Sequence, residues 1–176
     1  MTADYLIVGQ GIAGSVLAWT LHHRGHRVLI LNDPALPSAS KVSAGIFNPL
    51  AGKKLIRTWK LDELFPFAHR FYGEMEKSLD TEFLHFCDIY RPFRSIEEQN
   101  SNLAQTADSN LAKYVLEKAD NEKFTPFIEN PYGGLQITQS GWVDCTEMLE
   151  KVKVFFIDKN QYVIDRFDYH NIDFQE

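Results

Sequence analysis

The sequence has few cysteines, no cluster of basic residues and no long apolar run. Cys87 and Cys145 are the only two cysteines, and neither has a metal-binding pattern around it, which argues against a disulfide framework and a metal site. No stretch approaches the ~18 apolar residues that a membrane span requires. The formal net charge is −6 and no Lys/Arg run exceeds two residues, so we expect no extensive nucleic-acid surface. With no signal peptide before Tyr5, these features predict a cytoplasmic protein.

The composition is that of a globular protein with ample material for a core. Apolar residues make up 44% of the chain and aromatic residues 13%. The 176 residues suffice for one good core or two small lobes.

The first thirty residues predict a βαβ unit. Residues 5–8 form a short apolar run that ends at Gly9, as is typical of a strand buried on both faces. Residues 11–24 have apolar residues at helical spacing, and Gly25 follows as a left-handed cap. Residues 27–31 are a second apolar strand. This order predicts an α/β fold with a Rossmann-like unit.

The remaining sequence predicts alternating helices and strands. A Ser95-Ile96-Glu97-Glu98 capping box opens one helix, and Asp144 followed by Glu147 opens another. The expected elements are a helix over 54–79 interrupted near Pro66, a strand over 83–93, a helix over 95–118, a strand over 132–138, a helix over 144–156 and a strand over 163–167.

A glycine pattern joins the first strand to the first helix. Gly9, Gly11 and Gly14 stand at the first, third and sixth positions of the segment, with Ile12 and Ala13 between the last two. The first glycine allows a sharp turn, the second allows close approach of a pyrophosphate, and the third allows the helix to pack on the sheet. The helix N-terminus then offers N–H groups and a partial positive charge to phosphates. The pattern in this context predicts dinucleotide binding.

The second strand ends in Asn32-Asp33, where dinucleotide-binding proteins carry an acid for the ribose hydroxyls. The amide oxygen of Asn32 can accept a hydroxyl hydrogen bond, and Asp33 offers a carboxylate one residue later. Asp33-Pro34 is equally compatible with a simple turn. Neither position has an Arg or Lys for a 2′-phosphate, which disfavours NADP.

The second informative segment is rich in small residues and reads Ser38-Ala39-Ser40-Lys41-Val42-Ser43-Ala44-Gly45-Ile46-Phe47-Asn48-Pro49-Leu50. Together with the glycine pattern, this segment resembles the D-amino-acid oxidase-like superfamily of FAD enzymes, which includes glycine and sarcosine oxidases. The resemblance implies FAD as cofactor and a fold that joins the FAD-binding βαβ unit to part of an α+β substrate domain. It places Ser38, Ala39 and Ser40 beside the diphosphate. It places Ala44, Gly45 and Ile46 beside the isoalloxazine ring.

A looser match, Gly141-Trp142-Val143-Asp144, resembles the family's return from the substrate domain to the cofactor domain. The resemblance therefore divides the chain into an FAD-binding part (1–55), a substrate-domain portion (56–140) and an incomplete return to the FAD-binding domain (141–176). Because family members are much longer, we expect this chain to be an N-terminal portion.

The resemblance implies oxidation of a CH–NH bond in a small amine or amino acid, by hydride transfer to flavin N5. It nominates no catalytic residue in this chain. Three alternatives stay open: an FAD-dependent tRNA wobble-uridine modification oxidase, an NAD-dependent dehydrogenase and a non-catalytic dinucleotide-binding module. Homo-oligomer formation is also left open.

Overall fold

The computed structural model describes residues 2–116 and 119–171, which contain ten strands and seven α-helices. The strands are β1 (Tyr5–Val8), β2 (Val28–Asn32), β3 (Ile46–Phe47), β4 (Leu50–Ala51), β5 (Ile56–Arg57), β6 (Leu84–Phe86), β7 (Ile89–Pro92), β8 (Gly134–Ile137), β9 (Gly141–Val143) and β10 (Tyr162–Ile164). The helices are α1 (Ile12–His23), α2 (Ala39–Val42), α3 (Leu61–Leu79), α4 (Ile96–Gln105), α5 (Ser109–Ala112), α6 (Asn121–Phe124) and α7 (Cys145–Asp158), and a 3₁₀ turn follows at Tyr169–Asn171. None of the described helices combines the length and the apolar character needed to span a membrane.

The chain divides into two compact units. Unit 1 contains the residues up to Gly45, Lys77–Phe83 and the residues from Asp144 onward. Unit 2 contains Ile46–Glu76 and Leu84–Val143.

Unit 1 is built on a parallel sheet of three strands in the order β1-β2-β10. Val8 of β1 and Val163 of β10 both pair with Leu31 of the central strand. Helices α1 and α7 pack against each other, and each also contacts the sheet. The buried apolar residues of this unit are Ile7, Ala18, Trp19, Val28, Ile30, Phe83, Cys145, Met148, Leu149, Val152 and Phe156. This arrangement confirms the α/β class and the βαβ unit.

The sheet face opposite the one that buries Ile7 is apolar and accessible in the described part of the chain. Leu6 and Val8, which alternate with the buried Ile7, are 51% and 50% exposed. Their cross-strand neighbours Leu29 and Leu31 are half-buried. Parallel sheets normally have both faces covered, so this face departs from the usual pattern.

Unit 2 consists of small antiparallel sheets and a long helix. The sheets have the orders β3-β9-β6, β4-β5 and β7-β8. The start of α3 contributes to a buried apolar cluster with residues from the strands and the α5 region. This cluster contains Leu50, Leu55, Leu61, Phe93, Tyr114, Leu135 and Ile137.

The predicted helix over 54–79 is wrong in its first turns, because α3 begins at Leu61. Leu55 and Lys60 have φ angles of 48° and 49°, in the left-handed region, which a right-handed helix cannot include. Pro66 lies inside α3, so the helix continues past the expected interruption.

The predicted strand over 83–93 and the predicted helix over 95–118 also need correction. The strand is two short strands, because β6 pairs with β9 whereas β7 pairs with β8. The helix ends at Gln105, and a separate short helix, α5, follows. Its expected last two residues, 117 and 118, lie outside the described residues.

Candidate cofactor-binding site

The glycine pattern forms the turn between β1 and α1. Gly9 has a φ of 90°, a conformation that L side chains rarely adopt. A Cβ on Gly14 would lie 2.1 Å from the Gly9 carbonyl oxygen, so no side chain fits where α1 packs on the turn. Gly11 is the N-cap of α1 and provides no side-chain cap. The turn therefore leads directly to a helix N-terminus that its own N-cap residue does not cap.

One first-turn amide of α1 meets the serine-rich segment. The Ile12 N–H donates to Ser40 Oγ at 3.0 Å. A Cβ on Gly11 would also lie 3.0 Å from Ser40 Oγ, so glycine at this position keeps the approach open. Because a hydroxyl that accepts a hydrogen bond still has its own proton to donate, Ser40 can donate to an anion at this helix end. The helix N-terminus favours negative charge at the same place.

A cleft of about 410 Å³ lies at the carboxyl ends of β1, β2 and β10. This is the edge of an α/β sheet at which ligands bind, and the volume lies within the usual range of about 300–1,000 Å³ for small-ligand sites. The cleft is lined by Val8, Gly9, Gln10, Gly11, Leu31, Asn32, Asp33, Leu36, Pro37, Ser38, Lys41, Asp165, Arg166, Phe167 and Tyr169.

Asn32, at the end of β2, contacts the glycine turn directly. Its Oδ1 accepts a hydrogen bond from the Gln10 backbone N–H at 2.9 Å. The Gln10 side chain is bonded in turn to Tyr162, whose hydroxyl donates to Gln10 Oε1 at 3.0 Å. Burial raises the pKa of Tyr162, and a hydrogen bond with the Asn32 side chain opposes that rise. The end of β2, the glycine turn and β10 are therefore joined by neutral polar groups.

Asp33 forms the turn that follows β2. Its Oδ1 accepts a hydrogen bond from the Ala35 N–H at 2.9 Å, as in an Asx turn. Asp33 also lines the cleft, so the turn and the ribose interpretations are compatible. One carboxylate oxygen is engaged by the turn, and a carboxylate can accept through both oxygens.

The serine-rich segment folds as the short helix α2 and an extended stretch. Ser38 precedes α2 and lines the cleft, and Ala39 begins the helix. The Ser43 hydroxyl, just after α2, lies 3.0 Å from the Ser40 carbonyl oxygen and 3.3 Å from Cys145 Sγ. The start of α7 therefore lies close to the end of this segment, within unit 1.

Ala44, Gly45 and Ile46, expected beside a flavin ring, follow α2 and lie outside the set that lines the cleft. Gly45 has a φ of 64°, which favours glycine at this point of the chain. Ile46 begins β3, opposite Trp142 of β9, and is 64% exposed. The structure brings the glycine turn, Asn32, Asp33 and Ser38 to one cleft, and Ala44, Gly45 and Ile46 are not among the residues that line it.

Several lining residues were not predicted from the sequence. Asp165, Arg166 and Phe167 line the cleft because β10, which they follow, lies beside β2. The sequence predicted a strand over 163–167, but β10 ends at Ile164, so these three residues follow the strand and reach the ligand edge of the sheet. The pairing of β10 with β2 was the missing information.

Two arginines of unit 2, Arg57 and Arg91, are paired with acidic residues of the same unit. Arg91 donates to Glu98 Oε1 and to the Gly52 carbonyl oxygen, each at 2.7 Å. Arg57 donates to Asp62, which also accepts from Lys113 and Tyr114. These hydrogen bonds, that of Arg57 foremost, hold the pKa of the Asp62 carboxyl well below its usual range. Arg91 therefore has a structural role within unit 2.

The geometry fits the adenosine diphosphate half of a dinucleotide. The first-turn amides of α1 and the Ser40 hydroxyl provide donors for phosphate oxygens. Asn32 and Asp33 provide acceptors at the end of β2 for ribose hydroxyls. Among the described residues, no group of His, Cys, Asp and Glu side chains is arranged to hold a metal ion.

Comparisons with known proteins identify the family to which this chain is similar. A family model described as FAD dependent oxidoreductase, DAO, matches residues 4–158. The tRNA 5-methylaminomethyl-2-thiouridine biosynthesis bifunctional protein MnmC of Shewanella amazonensis is 28% identical over 163 residues. That alignment covers 88% of this chain and 24% of the relative.

Solved structures show the same fold. Glycine oxidase from Bacillus cereus superposes with a TM-score of 0.68 at 18% identity, over 93% of this chain and 47% of that one. Glycine oxidase from Geobacillus kaustophilus gives a TM-score of 0.66 at 16% identity, over 93% and 46%. The chain therefore spans about half the length of these structures.

Proposed function

The chain belongs to the DAO family of FAD-dependent oxidoreductases, and on that premise we propose that its unit 1 cleft binds the adenosine diphosphate half of FAD. The observation that carries this proposal is the convergence of the glycine turn, Asn32 and Ser40 at one sheet edge. The reaction that we propose for the protein is oxidation of a CH–NH bond of an amine or amino acid.

The diphosphate is held at the N-terminus of α1. The first turn, which receives no cap from Gly11, presents N–H groups, and Gly11 leaves room for an oxygen beside them. Ser40 Oγ is fixed by the Ile12 N–H and donates its proton to a phosphate oxygen. Ser38 and Lys41 line the same cleft, and the Lys41 ammonium adds positive charge there.

The adenosine lies along the strand ends. Asn32 and Asp33 accept from the ribose hydroxyls, while Leu36, Phe167 and Tyr169 offer apolar and aromatic surface to the adenine. Phe167 and Tyr169 pack edge to face with ring centroids 4.8 Å apart.

We assign the flavin ring to the segment after α2, as the family resemblance implies. Small residues at Ala44 and Gly45 let a flat ring approach the main chain. FAD bound there would supply a two-electron acceptor, so that loss of a hydride from carbon and of a proton from nitrogen would convert the amine to an imine. The protein contributes binding and orientation, and no acid or base in this chain is assigned to the reaction.

A second candidate substrate is a modified uridine in tRNA. The relative from Shewanella amazonensis, whose name specifies 5-methylaminomethyl-2-thiouridine biosynthesis, aligns with 88% of this chain. A methylaminomethyl group contains the same kind of CH–NH bond as a secondary amine. The chain carries a net charge of −6, so contacts to an RNA backbone would have to come from a local basic site.

The substrate class is tested by anaerobic reduction of the FAD-loaded protein. Sarcosine, glycine, proline, D-alanine and a tRNA with an aminomethyl-type uridine are added separately, and visible flavin absorbance is followed. We expect at least one amino acid to bleach the flavin. Bleaching by the tRNA alone would favour the second candidate, and bleaching by NADH alone would contradict both.

A further inference from the structure

Gln10 has a buried side chain at the centre of the glycine turn. The residue is 7% exposed and stands between Gly9 and Gly11. The dinucleotide-binding pattern assigns its physical roles to the glycines and requires no polar side chain at this position. A buried carboxamide there needs partners of its own, because an unpaired one would cost free energy.

Both ends of the Gln10 side chain are hydrogen-bonded to the C-terminal part of unit 1. Nε2 donates to the Leu149 carbonyl oxygen in α7 at 2.6 Å, and Oε1 accepts from the Tyr162 hydroxyl of β10 at 3.0 Å. The carbonyl can only accept, so the amide orientation follows from chemistry. Leu149 lies in the middle of α7, and its carbonyl oxygen has a second lone pair for this bond.

The Gln10 backbone is also fixed. Its N–H donates to Asn32 Oδ1 at 2.9 Å, so the residue contacts β2, α7 and β10 at once. Gly9, directly before it, adopts a φ of 90°, which an unrestrained glycine would exchange for other conformations. The side-chain bonds therefore restrict the turn that must accept the pyrophosphate.

We propose that Gln10 is a positioning residue that couples dinucleotide affinity to α7 and β10. The inference rests on the proposed FAD site, since Gln10 acts on that site through the shape of the glycine turn. Without the hydrogen bonds of the Gln10 side chain, the glycine turn populates several conformations. The affinity for the dinucleotide then falls in proportion to the fraction of molecules whose turn keeps the conformation that binds it. Helix α7 and strand β10, more than 130 residues later in sequence, thereby help to set the affinity.

The test compares Gln10→Met with wild type by titration of FAD and ADP into the apo protein. Methionine preserves length and removes both side-chain hydrogen bonds. We expect the Kd for each ligand to rise about tenfold, which corresponds to about one tenth of the variant molecules having the binding conformation of the turn. The Kd for riboflavin, which lacks the diphosphate and adenosine, stays unchanged. Tyr162→Phe should weaken FAD and ADP less, because it removes one of the two bonds.

Val152→Ala, in the core of α7, is the control for general destabilisation. It lowers the melting temperature of the apo protein but should leave the Kd for ADP within twofold of wild type. If Gln10→Met and Val152→Ala weaken ADP binding equally at equal loss of melting temperature, Gln10 is merely structural and the inference is overturned. If wild type binds neither FAD nor ADP, the proposed function itself fails.

Discussion

The Ser40 hydroxyl lies 3.0 Å from the Ile12 backbone nitrogen and so completes the first turn of α1 from a different segment of the chain. Gly11, the N-cap, has no side chain to make this bond. The serine therefore does the work of a capping residue while its own proton stays available for a phosphate oxygen.

Replacing Ser40 with alanine should weaken FAD binding. The change removes one donor to the diphosphate and leaves the Ile12 N–H without its partner. We expect the Kd for FAD to rise about tenfold, the usual effect of one hydrogen bond to a charged group. Fluorescence titration measures it, with Ser101→Ala on α4 as the control. An unchanged Kd for Ser40→Ala would remove this serine from the phosphate site.

Two glycine-to-alanine changes should have opposite effects on stability. A Cβ at position 14 would lie 2.1 Å from the Gly9 carbonyl oxygen, so Gly14→Ala forces the start of α1 away from the turn. We expect a fall in melting temperature and loss of FAD binding. Gly73, inside α3, has open space around its Cβ position, so Gly73→Ala should stabilise the protein by up to about 1 kcal/mol. Thermal unfolding measures both effects, and a melting temperature that falls in both variants, or rises in both, would contradict this interpretation.

Asn32→Asp should bind FAD more tightly than wild type. Aspartate keeps the hydrogen bond from the Gln10 N–H and strengthens it with a charge, and its second oxygen can accept from a ribose hydroxyl. We expect about a fivefold lower Kd by titration, within the range for a charge-assisted hydrogen bond. Asn32→Leu, which can accept neither bond, should raise the Kd. Weaker binding by the aspartate variant would show that the ribose lies elsewhere.

His22 should make the stability of unit 1 depend on pH. Its ring packs edge to face on Phe155 and Phe156, and burial, with Lys159 and His23 nearby, lowers the pKa of His22 below 6.5. The unfolded chain therefore takes up the proton before the folded one does. The stability that His22 contributes is present above pH 6.5 and is lost as the pH falls through its folded pKa.

The measurement is the melting temperature at pH 7.5 and pH 5.5 for wild type and His22→Gln. We expect a smaller drop in the variant, since it no longer contains the titrating group. His170→Gln, in the exposed 3₁₀ turn, serves as the control and should behave as wild type. If the melting temperature drops equally in His22→Gln and in wild type, the acid sensitivity belongs to other groups.

The local part of the fold could be predicted from the sequence. The apolar runs on either side of the first helix, with Gly25 at its end, predicted β1, α1 and β2. Asp144 predicted the start of α7, and its side chain does accept a hydrogen bond from the Glu147 N–H. These features depend on neighbouring residues, whose chemistry is visible in a short window. The split between β6 and β7 was missed because it depends on which distant strand each one pairs with.

In the candidate site, too, some features could be predicted from neighbouring residues whereas others depend on distant ones. The glycine pattern and the serine-rich segment were recognisable because their roles depend on residue type and spacing. The bonds from Gln10 to Leu149 and Tyr162 span 139 and 152 positions in the sequence, and no local pattern indicates them. The assignment of individual residues to FAD, and the division at residues 55 and 140, stay predictions.

The most direct test of the FAD site is the identity of the nucleotide that the purified protein releases on denaturation. We expect a yellow protein that releases FAD, and a Gly11→Val variant that retains none, because its side chain would occupy the space beside Ser40 that the pyrophosphate needs. Released NAD, or a colourless protein that stays colourless after FAD is added, would contradict the assignment of the unit 1 cleft to FAD.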